Sequence, residues 1–210
     1  MEGSLTQYYL ISAFQKTLFL IDLQSLKIIY SLELPEKISS VYKIEEQKII
    51  LGGETSIMLV HFESSQKKLL LIKSKIGHSQ QINGLGWFSQ EKVLVTGSND
   101  GTVGFWKVNE DFSDLSMIGN TALLFNLRNR PIWKVLCLPF SKIVLVCNET
   151  DRLGVVKLDF ENGNLQELES LTGFDSSIST LSWNGKGGIF ASSFSSKELY
   201  EIEVEDIEKA

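Results

Sequence analysis

The feature that most constrains the fold is a strand-like segment that recurs five times along the chain. Each copy is an apolar run that ends in a polar residue followed by an apolar one. The copies are LFLIDL (18–23), IMLVHF (57–62), VGFWKV (103–108), VVKLDF (155–160) and LYEIEV (199–204). Their fifth residues lie 39, 46, 52 and 44 positions apart. A period near 40–45 residues is typical of four-stranded sheets arranged around a common axis, so we predict such an array.

A second repeat lies upstream of the first and supports an all-β fold. ISSVYK (38–43), INGLGW (82–87) and ISTLSW (178–183) match position by position, and PIWKVLC (131–137) joins them in register. Other apolar segments are short, rich in β-branched residues and separated by turn signals every 8–12 residues, which indicates strands. The best helical candidate is NTALLFNLRN (120–129), and a loop explains that stretch equally well.

Charge and composition exclude several classes of protein. The net charge of the 210 residues is −6, and residues 198–210 carry six acids and one base. No basic stripe is visible, so we expect no direct contact with nucleic acid. The acidic end is either a solvated terminus or a docking strip for a basic partner. No apolar run approaches the ~18 residues of a membrane span, and we expect no membrane association.

The N-terminal sequence and the cysteines indicate the compartment. MEGSLTQYYL lacks the basic start and apolar run of a signal peptide. Cys137 and Cys147 are too few for a disulfide scaffold, and we expect two buried thiols in a reducing environment. The chain is therefore predicted to be cytoplasmic or nuclear.

The sequence contains no pattern that is typical of catalysis or metal binding. His61 and His78 are the two histidines, and the cysteines are not spaced as zinc ligands. Gly84-x-Gly86 lacks the third glycine of a phosphate-binding loop. We predict a protein that is not an enzyme and that has no metal and no cofactor.

One stretch, residues 77–108, resembles a WD40 repeat closely. It contains Gly77-His78 before its first strand, Thr96-Gly97-Ser98-Asn99-Asp100-Gly101 at a turn, and Trp106-Lys107 at the end of its third strand. Lys107 stands where the family usually has aspartate. The resemblance implies a β-propeller in which His78, Thr96 (or Ser98), Asp100 and Trp106 form a structural hydrogen-bonded chain. A catalytic relay of His78 and Asp100 is the alternative, but no motif places a nucleophile beside them.

The two repeats divide the chain into about five blades within a single domain, residues 1–210. The expected blades are 5–34, 36–76, 77–118, 131–172 and 174–205. The first blade is expected to lack its opening strand and the last blade its closing strand. Either five blades close into a ring, or the array is open and another chain, or a segment of a longer parent, supplies the missing strands.

In WD40 proteins, partners usually dock on the face formed by the loops before the first strand and between the second and third strands. The resemblance assigns six candidate partner-binding residues to that face, namely Trp133, Glu54, Asn99, Glu149, Arg152 and Lys197. Trp133 occupies the position of Asn83 and Ser179 in the matching strands. It is either an exposed interface residue or covered by the excursion at 110–130.

The resemblance implies a non-catalytic scaffold or adaptor subunit that mediates protein–protein interactions in a multiprotein complex. The alternative is an accessory WD-repeat subunit that positions a catalytic partner, such as an RNA-modifying methyltransferase. Two family signatures are absent. The chain lacks the Phe-Arg-Arg-Gly of phosphoinositide-binding propellers, and it has Trp106-Lys107-Val108-Asn109 where ubiquitin-ligase substrate receptors have Trp-Asp-x-Arg.

Overall fold

The computed structural model describes residues 8–120, 130–138, 141–160, 164–168, 170–193 and 195–203. These residues form 18 strands. The strands are β1 (Tyr9–Phe14), β2 (Thr17–Asp22), β3 (Lys27–Glu33), β4 (Ile38–Lys43), β5 (Lys48–Gly53), β6 (Ser56–Glu63), β7 (Lys68–Ile76), β8 (Ile82–Phe88), β9 (Val93–Ser98), β10 (Val103–Val108), β11 (Leu115–Asn120), β12 (Ile132–Leu138), β13 (Ile143–Asn148), β14 (Gly154–Asp159), β15 (Asn164–Glu167), β16 (Ile178–Trp183), β17 (Gly188–Ser193) and β18 (Leu199–Glu203).

The strands form five antiparallel sheets in chain order. The sheets are β1–β3, β4–β7, β8–β11, β12–β15 and β16–β18, and each strand pairs with the next one along the chain. The prediction of an all-β, propeller-type fold is confirmed, because the described residues contain no helix and the sheets hold three or four strands each. Among these residues the five sheets do not close into a ring. The helical alternative at 120–129 lies, apart from Asn120, outside the described residues.

Neighbouring sheets bury their apolar faces against each other, which produces four hydrophobic cores between the five sheets. Each core takes side chains from two adjacent sheets. The second strands β5, β9 and β13 are buried along almost their whole length because both of their faces are covered. Burial of this apolar surface is the main force that holds the sheets together.

The first strands of four sheets, β4, β8, β12 and β16, are neighbours of one another and form the inner side of the array. Two glycines let β8 approach β12 closely. A Cβ atom at Gly84 would lie 2.8 Å from the backbone nitrogen of Val135, and one at Gly86 would lie 2.6 Å from Sγ of Cys137. No side chain fits at either position without moving its neighbour.

The two cysteines are free thiols, and both are buried, as predicted. Cys147 packs in the core between β12–β15 and β16–β18, whereas Cys137 packs in the core shared with β8–β11. Burial raises the pKa of both thiols. The described part of the chain has no helix long and apolar enough to span a membrane.

Candidate interaction face

The β8–β11 sheet carries a tight turn between its second and third strands, at residues 99–102. Gly101 has a φ of 81°, a left-handed conformation that side chains rarely adopt. Its N–H donates to the carbonyl of Ser98 (3.1 Å), and the N–H of Ser98 donates to the carbonyl of Thr102 (3.1 Å). This geometry turns the Asp100 side chain back toward the loop that precedes β8.

His78, Thr96, Asp100 and Trp106 lie together in one hydrogen-bonded chain. Nδ1 of His78 lies 3.2 Å from Oδ2 of Asp100, and Nε2 lies 2.7 Å from Oγ1 of Thr96. The indole N–H of Trp106 donates to the same Thr96 oxygen at 2.9 Å. This hydrogen-bonded network therefore links the loop before β8 to β9, to the turn after β9 and to β10.

The directions of the hydrogen bonds follow from the donors available. Asp100 can only accept, so Nδ1 of the His78 ring is the donor in the contact between them. Oγ1 of Thr96 accepts from the indole N–H of Trp106 and contacts both Nε2 of His78 (2.7 Å) and the carbonyl oxygen of Gly104 (3.3 Å). Each polar atom in the chain then has a partner, which is the condition under which a buried polar network stabilises a fold.

The environment of Asp100 favours its ionised form. Burial alone would raise the pKa of this carboxyl group. The hydrogen bonds from His78, Thr102 and the backbone N–H of Ser79 outweigh that effect and hold the pKa well below its usual range. Asp100 is therefore a carboxylate at neutral pH, with its charge fixed by three neighbours.

Two members of this network were not foreseen from the sequence. Thr102 donates its N–H (3.0 Å) and its hydroxyl (2.6 Å) to Oδ1 of Asp100, and Ser79 donates its N–H to Oδ2 (2.9 Å). The signal for Thr102 was its position two residues after Asp100, which is typical of a hydroxyl that closes an Asx turn. Ser98, the alternative to Thr96, instead donates to the carbonyl of Gln80 (2.9 Å).

Two other sheets use different side chains to anchor the loop that precedes their first strand. In β4–β7, the Glu36 carboxylate accepts from the backbone N–H of Ser56 (2.7 Å) and of Thr55 (3.3 Å). In β16–β18, the Tyr200 hydroxyl accepts from the N–H of Asp175 (3.1 Å). Glu36 and Tyr200 lie at sequence positions that no WD40 hallmark marks, so the sequence did not predict either tie.

Each of the inner strands β4, β8, β12 and β16 contains a β-bulge after its first residue. The extra residues are Ser39, Asn83, Trp133 and Ser179. Two of them bond to the next sheet, since the Ser39 hydroxyl donates to the carbonyl of Ile82 (2.6 Å) and the Asn83 amide donates to that of Ile132 (3.1 Å). Trp133 places an indole at the position where Ser39 and Asn83 form hydrogen bonds to the next sheet.

The six predicted partner-binding residues lie at one end of the sheets. Glu54, Asn99, Glu149, Arg152 and Lys197 are in the turns between second and third strands, and Trp133 is at the start of β12. Because these strands are antiparallel, the start of a first strand lies beside the end of the second. We call this set of six residues the loop face.

The loop face has a mixed surface. Glu54, Glu149, Arg152 and Lys197 are exposed, whereas Asn99 and Trp133 are half-buried. Asn99 accepts from the Asn83 amide at 2.6 Å, and Glu149 lies 3.5 Å from Arg130. Part of the 110–130 excursion that was expected to cover Trp133, residues 121–129, lies outside the described residues.

A cavity of about 430 Å³ lies between the inner strands. Tyr42, Trp87, Lys134, Cys137 and Trp183 contribute to its lining. Trp87 is buried and Trp183 half-buried, and both pack against inter-sheet cores. Among the described residues, no cluster of three or more histidine, cysteine or acidic side chains could hold a metal ion.

Comparison with known proteins places this architecture in a family. A model of the family described as the DDB1- and CUL4-associated factor 12 (DCAF12) beta propeller matches residues 16–172. The match covers about three quarters of the chain. No curated protein matches the sequence.

Proposed function

We propose that this chain, which belongs to the DCAF12 β-propeller family, is a non-catalytic adaptor subunit that binds protein partners through its loop face. The observation that carries the proposal is the collection of turns from four successive sheets at one end of the array. Propellers of this type present wide loop-built faces, and they generally act as interaction domains.

The hydrogen bonds beneath the loop face support this role. His78, Asp100 and Glu36 tie the loops before first strands to the turns between second and third strands. Loops held in this way lose little conformational freedom when a partner docks, and less ordering cost means tighter binding. The network therefore acts as a support for the face, and we assign it no chemistry of its own.

The charges of the loop face favour a protein partner. Two acids, Glu54 and Glu149, stand against two bases, Arg152 and Lys197, and Trp133 adds an aromatic side chain. Nucleic-acid binding requires an excess of basic groups to contact phosphates. In the loop face the two bases are balanced by two acids, so there is no such excess. Aromatic and arginine side chains are those most often found at the energetic centre of protein interfaces.

The family name supplies the first partner to test. DCAF12 is described as associated with DDB1 and CUL4, and we propose that this chain joins a complex of that kind. Lys107 stands where Trp-Asp-x-Arg signatures have aspartate, so the contact would use other residues than that motif. An intracellular location, cytoplasmic or nuclear, follows from this proposal.

The experiment compares three forms of the tagged chain in quantitative affinity capture from cell lysate, with purified DDB1 as a defined second bait. The face variant is Trp133→Ala with Glu149→Ala and Arg152→Ala. The matched control is Glu46→Ala with Lys186→Ala, which removes one acid and one base from turns at the opposite end of the sheets. We expect the face variant to lose its partners and the control to keep them.

Two results would overturn the proposal. One is equal capture by the face variant, the control and the wild type. The other is the absence of any specific partner, DDB1 included, from a folded wild-type chain.

A further inference from the structure

The first sheet has an exposed edge that its neighbours do not have. Strand β2 matches the third strands β6, β10 and β14 in sequence, so β1 corresponds to the second strands β5, β9 and β13. Those three strands are almost entirely buried. In β1, half-buried and exposed residues alternate, with Leu10 and Phe14 exposed, and no described strand pairs with its inner edge.

In the second sheet, β4–β7, the exposure of Val41 shows that a strand is lacking beside the inner edge of β1. Val41 on β4 is equivalent to Leu85, Val135 and Leu181 on the later first strands, because ISSVYK, INGLGW and ISTLSW match in register. Leu85, Val135 and Leu181 are 3%, 1% and 4% exposed and pack toward the preceding sheet. Val41 is 42% exposed. Its partner Leu51 lies in the core shared with the first sheet, so Val41 faces the side on which a first strand would lie.

The opposite end of the array is protected against strand pairing. Strand β18 carries the exposed acids Glu201 and Glu203, and charged side chains on an edge discourage the addition of another strand. Strand β1, YLISAF, has no charge at all. An uncharged, apolar edge is a template for pairing, and of these two ends only the β1 edge has that character.

We propose that an extended strand of another polypeptide completes the first sheet by pairing antiparallel with the inner edge of β1 and packing on Val41. Antiparallel pairing continues the pattern of all five sheets. The burial of a strand against Val41 extends the four inter-sheet cores already present. This docking site is separate from the loop face, and it does not depend on the function proposed for that face.

The equivalent strands of this chain define the chemistry of the incoming strand. The side chains that β4 and β8 direct toward the next sheet are small. Ser40 donates to the carbonyl of Ile82 (2.8 Å), and any Cβ at Gly84 would clash with β12. The occupant should therefore carry glycine, serine or alanine at the alternate positions that face β4, and apolar residues at those on the Leu10 side.

A second copy of the chain does not meet these requirements. The outer face of β16–β18 includes Glu201, so it cannot bury the apolar first sheet in a head-to-tail stack. Two first sheets packed face to face would share only about 300 Å² on strand spacings, far below the ~800 Å² per partner of a stable interface. A strand that also forms backbone hydrogen bonds gains stability beyond its contact area.

The probe is a fluorescent peptide with the sequence of residues 81–88, QINGLGWF, flanked by lysines for solubility and titrated against the purified chain. We expect saturable binding that is lost when alternate backbone amides are N-methylated. Replacing the two glycines of the peptide with leucine should weaken binding at least tenfold. Val41→Glu in the protein should do the same, whereas Ile72→Glu, at an equally exposed residue on β7, should leave it unchanged.

Hydrogen–deuterium exchange locates the bound peptide. The amides of Tyr9–Phe14 should gain protection and those of Leu199–Glu203 should not. The proposal is overturned if the peptide does not bind, if the two glutamate variants bind it equally, or if protection appears at β18. A dimer in light scattering that Val41→Glu dissociates, without peptide binding, would also overturn it and identify a second copy as the occupant. None of these outcomes alters the capture experiment on the loop face.

Discussion

Replacing Asp100 with alanine removes the acceptor on which the buried network converges. The carboxylate accepts from the His78 ring, from the N–H of Ser79 and from both donors of Thr102. Ser79 is exposed and can bond to water, but the His78 side chain is almost fully buried. A buried donor left without a partner costs about 1–3 kcal/mol, and bonds to a charged acceptor lie at the upper end of their range.

We therefore expect Asp100→Ala to lower the free energy of unfolding by about 2–4 kcal/mol. For a domain of this size that corresponds to a decrease in Tm of roughly 4–16 °C. The assay is thermal and urea unfolding at pH 7, followed by tryptophan fluorescence, since Trp106 is part of the network. The matched control is Asp111→Ala, because Asp111 bonds only to nearby Ser113 in an exposed turn, and it should change stability by less than about 0.5 kcal/mol.

The pH dependence gives a second readout of the same contact. The folded pKa of Asp100 is lowered, so its contribution to stability is fully present above the unfolded pKa of ~3.9 and is lost as the pH falls toward the folded value. The part of the difference between wild type and Asp100→Ala that comes from the ionised carboxylate should shrink as the pH falls below about 4. Equal effects of the Asp100 and Asp111 substitutions, or a difference that does not shrink below about pH 4, would refute this account of the network.

Three further predictions concern the network, the sheet packing and the thiols. Thr96→Val should cost about 2–3 kcal/mol because it removes the link between His78 and Trp106, and urea unfolding should show a clearly smaller effect for Ser98→Ala. Gly84→Ala should destabilise by about 1–3 kcal/mol because the new Cβ meets the backbone of β12, whereas alanine at the half-buried Gly188 should cost less in the same assay. Cys137 and Cys147 should resist a thiol reagent in the native state and react at the rate of unfolding, because both are buried and burial raises their pKa; rapid native labelling would contradict their placement.

The repeated segments made the fold predictable because strand burial in this protein repeats with the sequence. The apolar positions of 57–62, 103–108 and 155–160 fall in third strands, and the matching upstream segments fall in first strands. The WD40 hallmarks also named His78, Thr96, Asp100 and Trp106, which the structure brings into hydrogen-bond contact. A buried histidine, aspartate or tryptophan needs a specific hydrogen-bond partner, so these residue types recur at fixed spacings that can be recognised in the sequence.

The remaining features were hidden because they depend on contacts between distant residues. In their sheets, Glu36 and Tyr200 accept hydrogen bonds from backbone N–H groups in place of the histidine–aspartate contact. Because every residue except proline has a backbone N–H, these bonds require no particular residue type at the donor position and leave no pattern in the sequence. The alignment of Trp133 with Asn83 was visible, but the β-bulge that both occupy was not. The sequence around Val41 did not predict that this side chain is exposed. Its exposure arises because, among the described residues, no first strand of the preceding sheet packs against it.

The most direct test of the loop face as the partner-binding surface is lysine cross-linking of the wild-type chain to its captured partner, read by mass spectrometry. Lys37 and Lys197 lie at the end of the sheets that carries the loop face, and Lys67 and Lys186 lie in turns at the opposite end. All four are exposed, so they differ in location and not in access to the reagent. Cross-links to the partner from Lys37 and Lys197 alone are the predicted result. Cross-links confined to Lys67 and Lys186 would contradict it.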